Sequence, residues 1–226
     1  MTQTLESKRV SQGRVSRVLV FGYSGSGKTV YVRWQIRTHP AEWIVVDPEN
    51  EHDPQDYGDR AIVVATAGDA ARIRARGRRR GTLPDAPVWI IRESEGEECA
   101  ALALEWTRCV LVLDEGDRDV AGEVLLGRDI RTSALYRIYN RSRQPQVASY
   151  TLIRRPHDVA RTGRANATHY AFAGASNGDE LADIKRITSQ ETADMVAELR
   201  QDWPEGRKLV LYQPGHAPVL VRAPFK

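Results

Sequence analysis

The chain has 226 residues, of which 41% are hydrophobic and 28% are charged, and its formal net charge is +3 at pH 7. This length suits one α/β domain with a buried core and leaves little room for two full domains. No apolar run approaches the roughly 20 residues that span a bilayer, and the polar segment 1–17 lacks the hydrophobic region of a signal peptide. We therefore expect a cytoplasmic protein without a transmembrane segment of its own.

Short β-rich apolar runs alternate with helical patterns along the chain, which predicts βαβ units and a mostly parallel sheet. The predicted strands cover residues 15–21, 43–46, 61–65, 88–91, 109–113, 147–153 and 170–173. The predicted helices cover residues 28–37, 69–76, 97–107, 130–140, 180–187 and 191–200. Two further strands, 209–212 and 219–221, flank Gln213-Pro214-Gly215 and predict a terminal antiparallel pair.

The cysteines and the arginines carry weaker signals. Cys99 and Cys109 lie in or beside apolar stretches, which indicates buried free thiols in a reducing compartment. Of the 33 basic residues only five are lysine, and an arginine-rich surface is compatible with nucleic acid because arginine binds phosphate through two hydrogen bonds. The alternative is a bias in genomic composition. In Arg72–Arg80 six of nine residues are arginine, which predicts either a contact to DNA phosphates or a solvated helix end.

One motif has the spacing G-x-x-x-x-G-K-T, directly after an apolar strand and directly before a helix. In this context the glycines let backbone N–H groups turn onto phosphate oxygens at a helix N-terminus. We therefore predict a P-loop for ATP, in which Lys28 reaches the β- and γ-phosphates and Thr29 binds Mg²⁺. Its residues are Gly22, Tyr23, Ser24, Gly25, Ser26, Gly27, Lys28 and Thr29.

A second motif is the apolar run Leu111–Leu113, followed by Asp114 and Glu115. An acid at the carboxyl end of a buried strand is the pattern of a Walker B strand, so Asp114 is predicted to hold Mg²⁺ directly or through water. Glu115 is predicted to polarise the attacking water as general base. The alternative is an ordinary strand followed by an acidic turn. The paired acid favours hydrolysis of ATP over transfer of phosphate to a small acceptor.

Arginines flank the predicted strand 147–153. Arg141 and Arg143 precede it, and Arg154 follows it. Arginines at this edge can stabilise transition-state charge on the γ-phosphate bound by a neighbouring subunit. Solvated charge, or pairing with the acids of a partner, is the competing interpretation. The five histidines show no metal-ligand spacing, so no zinc site is assigned.

The order of these motifs resembles the FtsK–HerA superfamily of DNA-pumping ATPases. The P-loop is followed by a strand that ends in Asp47-Pro48-Glu49-Asn50-Glu51, then by the apolar run with Asp114-Glu115. A strand that ends in Arg-Arg-Pro, the segment Ala167–Phe172 and a helix beginning Asp179-Glu180-Leu181 complete the order. The short one-domain form is similar to the genome-packaging ATPases of icosahedral, internal-membrane-containing double-stranded DNA viruses, over roughly residues 15–222.

The expected fold is therefore α/β, of the P-loop NTPase (RecA/FtsK-like) type. It has a mostly parallel central sheet flanked by helices and a C-terminal antiparallel strand pair. We expect a polar N-terminal extension over residues 1–14 and a P-loop ATPase domain over residues 15–226. The resemblance implies a homo-oligomeric ring, a hexamer, with ATP between neighbours and double-stranded DNA through the centre. It also implies a capsid vertex or a membrane protein as docking partner, and a place in the host cytoplasm or on the virion.

The resemblance also assigns the arginines. Arg143 falls where the trans-acting arginine of the family lies, with Arg141 as the near alternative. The family often has a glutamine before Arg-Pro that senses the γ-phosphate, and this chain has Arg154 there. Either Arg154 senses the phosphate with a charge or another residue does. The chain lacks the extra membrane-spanning and DNA-reading domains of the family, which favours a viral packaging motor over a cell-division translocase.

Other functions stay open at this point. A motor of the same lineage can serve plasmid mobilisation or filamentous phage assembly, although the latter is expected to carry a membrane anchor. A small-molecule kinase or a nucleotide switch also uses a P-loop, but the Asn-Lys-x-Asp guanine reader of GTPase switches is missing from the sequence. A DNA-binding module with a vestigial P-loop is disfavoured, because Lys28, Thr29, Asp114 and Glu115 are all present.

Overall fold

A computed structural model of the protein describes residues 16–117, 133–140, 146–199 and 208–222. The proposed N-terminal extension, Arg141 and Arg143 lie outside these residues. The boundary at residue 15 therefore stays a prediction, as do the roles of both arginines.

The described residues form one sheet with helices on its two faces. The strands are β1 (Arg17–Phe21), β2 (Glu42–Val46), β3 (Ala61–Val64), β4 (Val88–Ile91), β5 (Cys109–Leu113), β6 (Ala148–Ile153), β7 (His169–Phe172), β8 (Lys208–Tyr212) and β9 (Val219–Arg222). The helices are α1 (Lys28–Thr38), α2 (Ala67–Arg80), α3 (Gly96–Trp106), α4 (Ala134–Asn140), α5 (Arg161–Asn166), α6 (Gly178–Ile187) and α7 (Gln190–Ala197). Short 3-10 helices cover Pro54–Arg60 and Pro156–Asp158.

The strand order is β3-β4-β2-β5-β6-β1-β7-β8-β9. The first seven strands in this spatial order, from β3 through β7, run parallel to one another. The last two, β8 and β9, are antiparallel to their neighbours. This confirms the predicted α/β fold with a mostly parallel sheet and a C-terminal antiparallel pair. Strand β6 is inserted between β1 and β5, an arrangement that decides which residues meet at the site described below.

Successive strand residues face opposite layers, as the two-residue period of a strand requires. In β2, Ile44 belongs to the core layer that includes α2, α3, α4, α6 and α7, whereas Trp43 and Val45 belong to the layer that includes α1. Both faces of the sheet are covered by helices. Strand β5 is apolar along its whole length, as expected of a strand covered on both faces. Burying each large apolar side chain contributes about 1.5–3 kcal/mol.

The predicted elements fall close to those observed, and the main difference is helix α2. The sequence pattern predicts a helix over residues 69–76, and the structure extends it to Ala67–Arg80. Thr66 and Asp69 form a capping box at its start, and Gly81 in the left-handed conformation ends it. Arginine is a good helix former, so the arginine run continues the helix to this glycine. The prediction missed α5 and both 3-10 helices.

Both cysteines are buried and free, as predicted. Burial raises the pKa of the Cys109 thiol to about 12, and that thiol donates to the carbonyl of Ala103 at 3.5 Å. Across the described part of the chain, no helix has both the length and the hydropathy of a membrane-spanning segment.

The arginine run of α2 divides into paired and unpaired residues. Arg74 is buried and donates from Nε and Nη2 to the two carboxylate oxygens of Glu42, at 2.7 and 2.8 Å. Its guanidinium carbon lies 4.3 Å from the centroid of the Trp106 ring, and the indole N–H of Trp89 also donates to Glu42, at 3.1 Å. Arg74 therefore stabilises the fold rather than contacting DNA.

The remaining arginines of α2 lie on its exposed side. Arg78 reaches Glu42 at 3.4 Å, and Arg72 pairs with Asp69. Three others are exposed and have no ion-pair partner among the described residues: Arg76, Arg79 and Arg80. Arginines in the last turn interact favourably with the helix dipole. Exposed arginines fit a solvated helix end and a contact to DNA phosphates equally well, so both interpretations stay predictions.

The Glu42–Arg74 pair is expected to contribute to the stability of the fold. We expect Arg74→Ala to lower the free energy of unfolding by about 3 kcal/mol, because it leaves a mostly buried carboxylate without its main partner. Exposed Arg76→Ala is the matched control and should change it by less than about 0.5 kcal/mol. Denaturant titration of both variants measures the difference, and equal losses would contradict this role of Arg74.

The effect should depend on pH. Burial acts to raise the pKa of Glu42, but the hydrogen bonds and charge of Arg74 outweigh it and leave the pKa below its usual value. A lowered pKa in the folded state contributes stability above the unfolded value of about 4.3 and loses it as the pH falls through the folded value. The difference between wild type and Arg74→Ala should therefore shrink below about pH 4.

Candidate functional site

The carboxyl ends of four neighbouring strands meet at one edge of the sheet. Backbone hydrogen bonds continue past the strands there: Gly22 N–H donates to Ile153 O at 3.2 Å, and Asp114 N–H donates to Val46 O at 3.1 Å. Because β6 lies between β1 and β5, the residue after β6 lies between the predicted P-loop and the predicted Walker B acids. That residue is Arg154.

The segment between β1 and α1 has the conformation that its glycines predict. Gly22 has φ +153°, and a Cβ added there would overlap the side chain of Ser26. Gly27 has φ +102° and precedes α1, and no side chain caps the amino end of this helix. An uncapped helix N-terminus after a glycine-rich turn is suited to binding an anion.

Lys28 lies inside this loop. Its Nζ donates to the carbonyl oxygens of Gly22 at 2.7 Å and Tyr23 at 3.2 Å. Burial lowers the pKa of this ammonium, whereas the negative charges of Asp114 and Asp117 act in the opposite direction. The Lys28 ammonium is thus partly buried and bound to carbonyl oxygens of its own loop. An incoming phosphate can replace these carbonyls as its hydrogen-bond acceptor.

Asp114 is buried at the end of β5, with both carboxylate oxygens engaged. Oδ1 accepts the backbone N–H of Glu115 at 3.1 Å, and Oδ2 lies 3.0 Å from Nε2 of His52. Glu115 has a positive φ of 58°, and non-glycine residues in that region are uncommon and concentrate at functional sites.

Glu115 is paired with the residue that follows β6. Arg154 Nη2 donates to Glu115 Oε1 at 2.8 Å, and the Arg154 N–H donates to Asp117 Oδ1 at 3.0 Å. The hydrogen bond and charge of Glu115 raise the pKa of Arg154. Burial raises the pKa of Asp117. The predicted general base and the predicted phosphate sensor are therefore in direct contact.

The P-loop, Asp114, Glu115 and Arg154 line a common cleft of about 360 Å³. The loop residues that line it are Ser24, Gly25, Gly27, Lys28 and Thr29. The structure thus brings together the predicted nucleotide residues from three separate parts of the chain. Their roles stay predictions.

The donors in the cleft fit Mg²⁺. Thr29 Oγ1 donates to Glu51 Oε2 at 3.0 Å, and Asp114 lines the same cleft. Hydroxyl and carboxylate oxygens are the ligands that Mg²⁺ prefers, usually one or two of them together with substrate phosphates. No group of three or more His, Cys, Asp and Glu side chains in the described ranges could hold a metal by itself. The buried hydroxyl of Ser26 has no hydrogen-bond partner in the same ranges and adds an unsatisfied polar group beside the loop.

Three residues at this site were not predicted from the sequence as site residues: Glu51, His52 and Asp117. Glu51 and His52 follow β2, whose carboxyl end lies at the same sheet edge as those of β1 and β5. Their position just after a parallel strand was the available signal, since ligands bind outside the carboxyl ends of such strands. A single histidine such as His52 shows no metal-ligand spacing in the sequence, so local pattern gives no signal for it.

Solved structures resemble this fold over nearly its whole length. The genome-packaging NTPase of Sulfolobus turreted icosahedral virus 2, in complex with ATP-gammaS, has a TM-score of 0.70 at 15% identity, covering 93% of this chain and 98% of that chain. The DNA-packaging ATPase of Sulfolobus turreted icosahedral virus has a TM-score of 0.66 at 16% identity, covering 95% and 100%. This chain therefore shares the fold of these packaging enzymes. The sequence resemblance is thus confirmed for the fold.

A more distant neighbour is the pCW3 conjugation coupling protein TcpA, in a form with ATPgS. It has a TM-score of 0.52 at 18% identity, covering 93% of this chain and 60% of that chain. Neither a protein-family model nor a curated protein sequence matches the chain. At these identities the likeness establishes the fold alone.

The geometry of the loop predicts the effect of a single methyl group. Gly22→Ala would place a Cβ against Ser26 at a positive φ. Overpacking of this kind costs about 1–3 kcal/mol, so nucleotide affinity should fall about tenfold or more. Gly178→Ala is the matched control, because a Cβ there meets open space. Titration with a fluorescent ATP analogue measures both, and unchanged affinity in Gly22→Ala would refute the assigned loop geometry.

Proposed function

We propose that this protein hydrolyses ATP to move double-stranded DNA, and that it serves as the genome-packaging motor of a virus. The observation that carries the proposal is the convergence of Lys28, Asp114, Glu115 and Arg154 on one cleft. The fold likeness to two viral packaging enzymes supports the biological role. A homo-oligomeric ring, a hexamer, with DNA at its centre and a capsid or membrane docking partner belongs to this proposal.

The residues of the P-loop bind and orient the nucleotide. Lys28 exchanges the carbonyls of Gly22 and Tyr23 for the β- and γ-phosphates, which offer a stronger charge-assisted partner. Thr29 and Asp114 hold Mg²⁺, which when bound neutralises charge on the phosphate oxygens. The Thr29 hydroxyl donates a hydrogen bond to Glu51, which positions that hydroxyl.

Glu115 acts as the general base. Its carboxylate takes a proton from the water that attacks the γ-phosphorus, while the bond from that phosphorus to the β–γ bridging oxygen breaks and ADP leaves. In the structure the Glu115 carboxylate is paired with the Arg154 guanidinium. The base therefore becomes available when Arg154 moves to another anion. The γ-phosphate of ATP bound in the same cleft is one such anion, which supports a sensing role for Arg154 at the position where the family has glutamine.

The arginine that crosses from a neighbouring subunit is proposed to be Arg143, with Arg141 as the alternative. Both lie outside the described residues, so this proposal rests on their order relative to β6 in the sequence. A ring places the nucleotide at a subunit boundary, where such an arginine stabilises transition-state charge.

A second candidate is a DNA motor for conjugation rather than packaging. The fold likeness to a conjugation coupling protein favours it, although with a lower TM-score and over 60% of that chain. The two roles share the ATPase cleft and differ in the partner at the ring. Capsid genes beside the gene for this chain would support packaging, whereas their absence beside mobilisation genes would support conjugation.

Hydrolysis is tested at Glu115 and Arg154. Glu115→Gln should lower the ATP turnover about 10²- to 10⁴-fold while ATP still binds, because the amide cannot take the proton. Arg154→Ala should also lower turnover, because the γ-phosphate then loses its sensor. Exposed Glu98→Gln is the matched control and should leave turnover unchanged. Normal hydrolysis by Glu115→Gln would show that the base is another residue.

Coupling to DNA is tested by measuring ATP turnover with and without double-stranded DNA. We expect turnover to rise severalfold with DNA and to vanish in Lys28→Ala under both conditions. Sedimentation with ATP analogues should reveal a ring. A monomer under all nucleotide conditions whose turnover ignores DNA would contradict the motor and support a small-molecule kinase or a switch.

A further inference from the structure

His52 is fully buried, yet its two ring nitrogens both have polar partners. Nε2 lies 3.0 Å from Oδ2 of Asp114, and Nδ1 contacts the hydroxyl of Tyr57. His52 is 0% exposed, and Tyr57 and Asp114 are 6% and 7% exposed. These three side chains form a buried chain of hydrogen bonds that ends on the predicted Walker B acid.

The chemistry of the end groups fixes the direction of these bonds. An ionised carboxylate only accepts, so Nε2 carries the proton that faces Asp114. In the tautomer with its proton on Nε2, the ring accepts at Nδ1, where the Tyr57 hydroxyl donates to it. Burial raises the pKa of Tyr57, which keeps its hydroxyl protonated and able to donate. The contact with Tyr57 therefore suits the tautomer of His52 that can bind Asp114.

The backbone of His52 is held as firmly as its ring. Its N–H donates to Asp47 Oδ2 at 2.9 Å, and its carbonyl accepts from Arg92 Nη2 at 2.9 Å. Asp47 is fully buried and pairs with Arg92. This ion pair joins the residue after β2 to the residue after β4, so two adjacent strands fix the position of the ring.

The same turn reaches a second predicted Mg²⁺ ligand. The N–H of Glu51 donates to Asp47 Oδ1 at 2.8 Å, and the Glu51 side chain accepts from Thr29 at 3.0 Å. One buried carboxylate therefore positions two consecutive residues, and each contacts one of the two side chains predicted to hold the cation. A buried histidine whose only role was to fill the core would not need a turn that contacts both predicted ligands.

We propose that His52 is a positioning residue for Asp114: its Nε2–H holds the carboxylate in the orientation that receives a divalent cation with ATP, and Tyr57 fixes its tautomer. Hydrogen bonds of this kind orient metal ligands and raise metal affinity about 10- to 100-fold. The proposal rests on the proposed function, because it takes Asp114 as a ligand of the Mg²⁺ that accompanies ATP.

The test measures the affinity for the metal rather than activity. Mn²⁺ binding in the presence of a non-hydrolysable ATP analogue is followed by electron paramagnetic resonance, and analogue binding without metal is measured in EDTA. We expect His52→Ala to weaken Mn²⁺ binding at least about tenfold and to leave analogue binding in EDTA unchanged. Tyr57→Phe should give a smaller loss of the same kind.

Two more variants separate positioning from packing. His52→Gln keeps an N–H donor at about the reach of Nε2 and should recover most of the Mn²⁺ affinity, whereas His52→Asn is too short and should not. Asparagine also replaces alanine as the test if the alanine variant fails to fold. His39→Gln is the matched control, since the His39 ring contacts the carbonyl of Gln35 at the end of α1.

The outcomes distinguish this inference from the function on which it rests. A folded His52→Asn or His52→Ala variant that binds Mn²⁺ as tightly as wild type would overturn the positioning role, even if its melting temperature falls. Equal losses in His52→Gln and His52→Asn would overturn it as well. Wild-type protein that binds the analogue without any dependence on the metal would instead contradict the proposed ATPase site.

Discussion

The parallel alignment of β2, β5, β6 and β1 is the constraint on which the rest of the structure depends. Parallel strands end at the same edge of a sheet, so loops from distant parts of the chain meet there. The hydrogen bonds of Gly22 to Ile153 and of Asp114 to Val46 carry this alignment past the last strand residues. Apart from Leu152, which lies within β6, the residues that line the cleft follow one of these four strands. A different strand order would separate Arg154 from Glu115.

Two carboxylates at the ends of β2, Glu42 mostly buried and Asp47 fully buried, show how the fold accommodates negative charge. Glu42 at its start pairs with Arg74, and Asp47 after its end pairs with Arg92. A buried anion is tolerated only when it is paired and hydrogen-bonded. The first pair attaches α2 to the sheet. The second shapes the turn that presents Glu51 and His52 to the cleft, so the same physical requirement stabilises the fold at one end and organises the site at the other.

The structure shows Arg154 in contact with Glu115. The proposed function adds a second state, in which the arginine binds a phosphate and the proposed base is free. Arg154 is largely exposed, so exchange between these partners costs little compared with breaking a buried pair. Glu115 has a positive φ directly after β5, and its side chain contacts Arg154 from that position.

The sequence by itself determined the strands, the P-loop and the Asp114-Glu115 pair, because apolar periodicity and glycine spacing are local properties of the chain. Predicted strand ends differ from the observed ones by at most about two residues. Only the tertiary structure decided which arginines form ion pairs and which histidine contacts the predicted Walker B acid. Arg74 is a core residue and His52 contacts Asp114, 62 positions away. Such contacts depend on strand order, which is set by packing across the whole sheet and leaves no local pattern in the sequence.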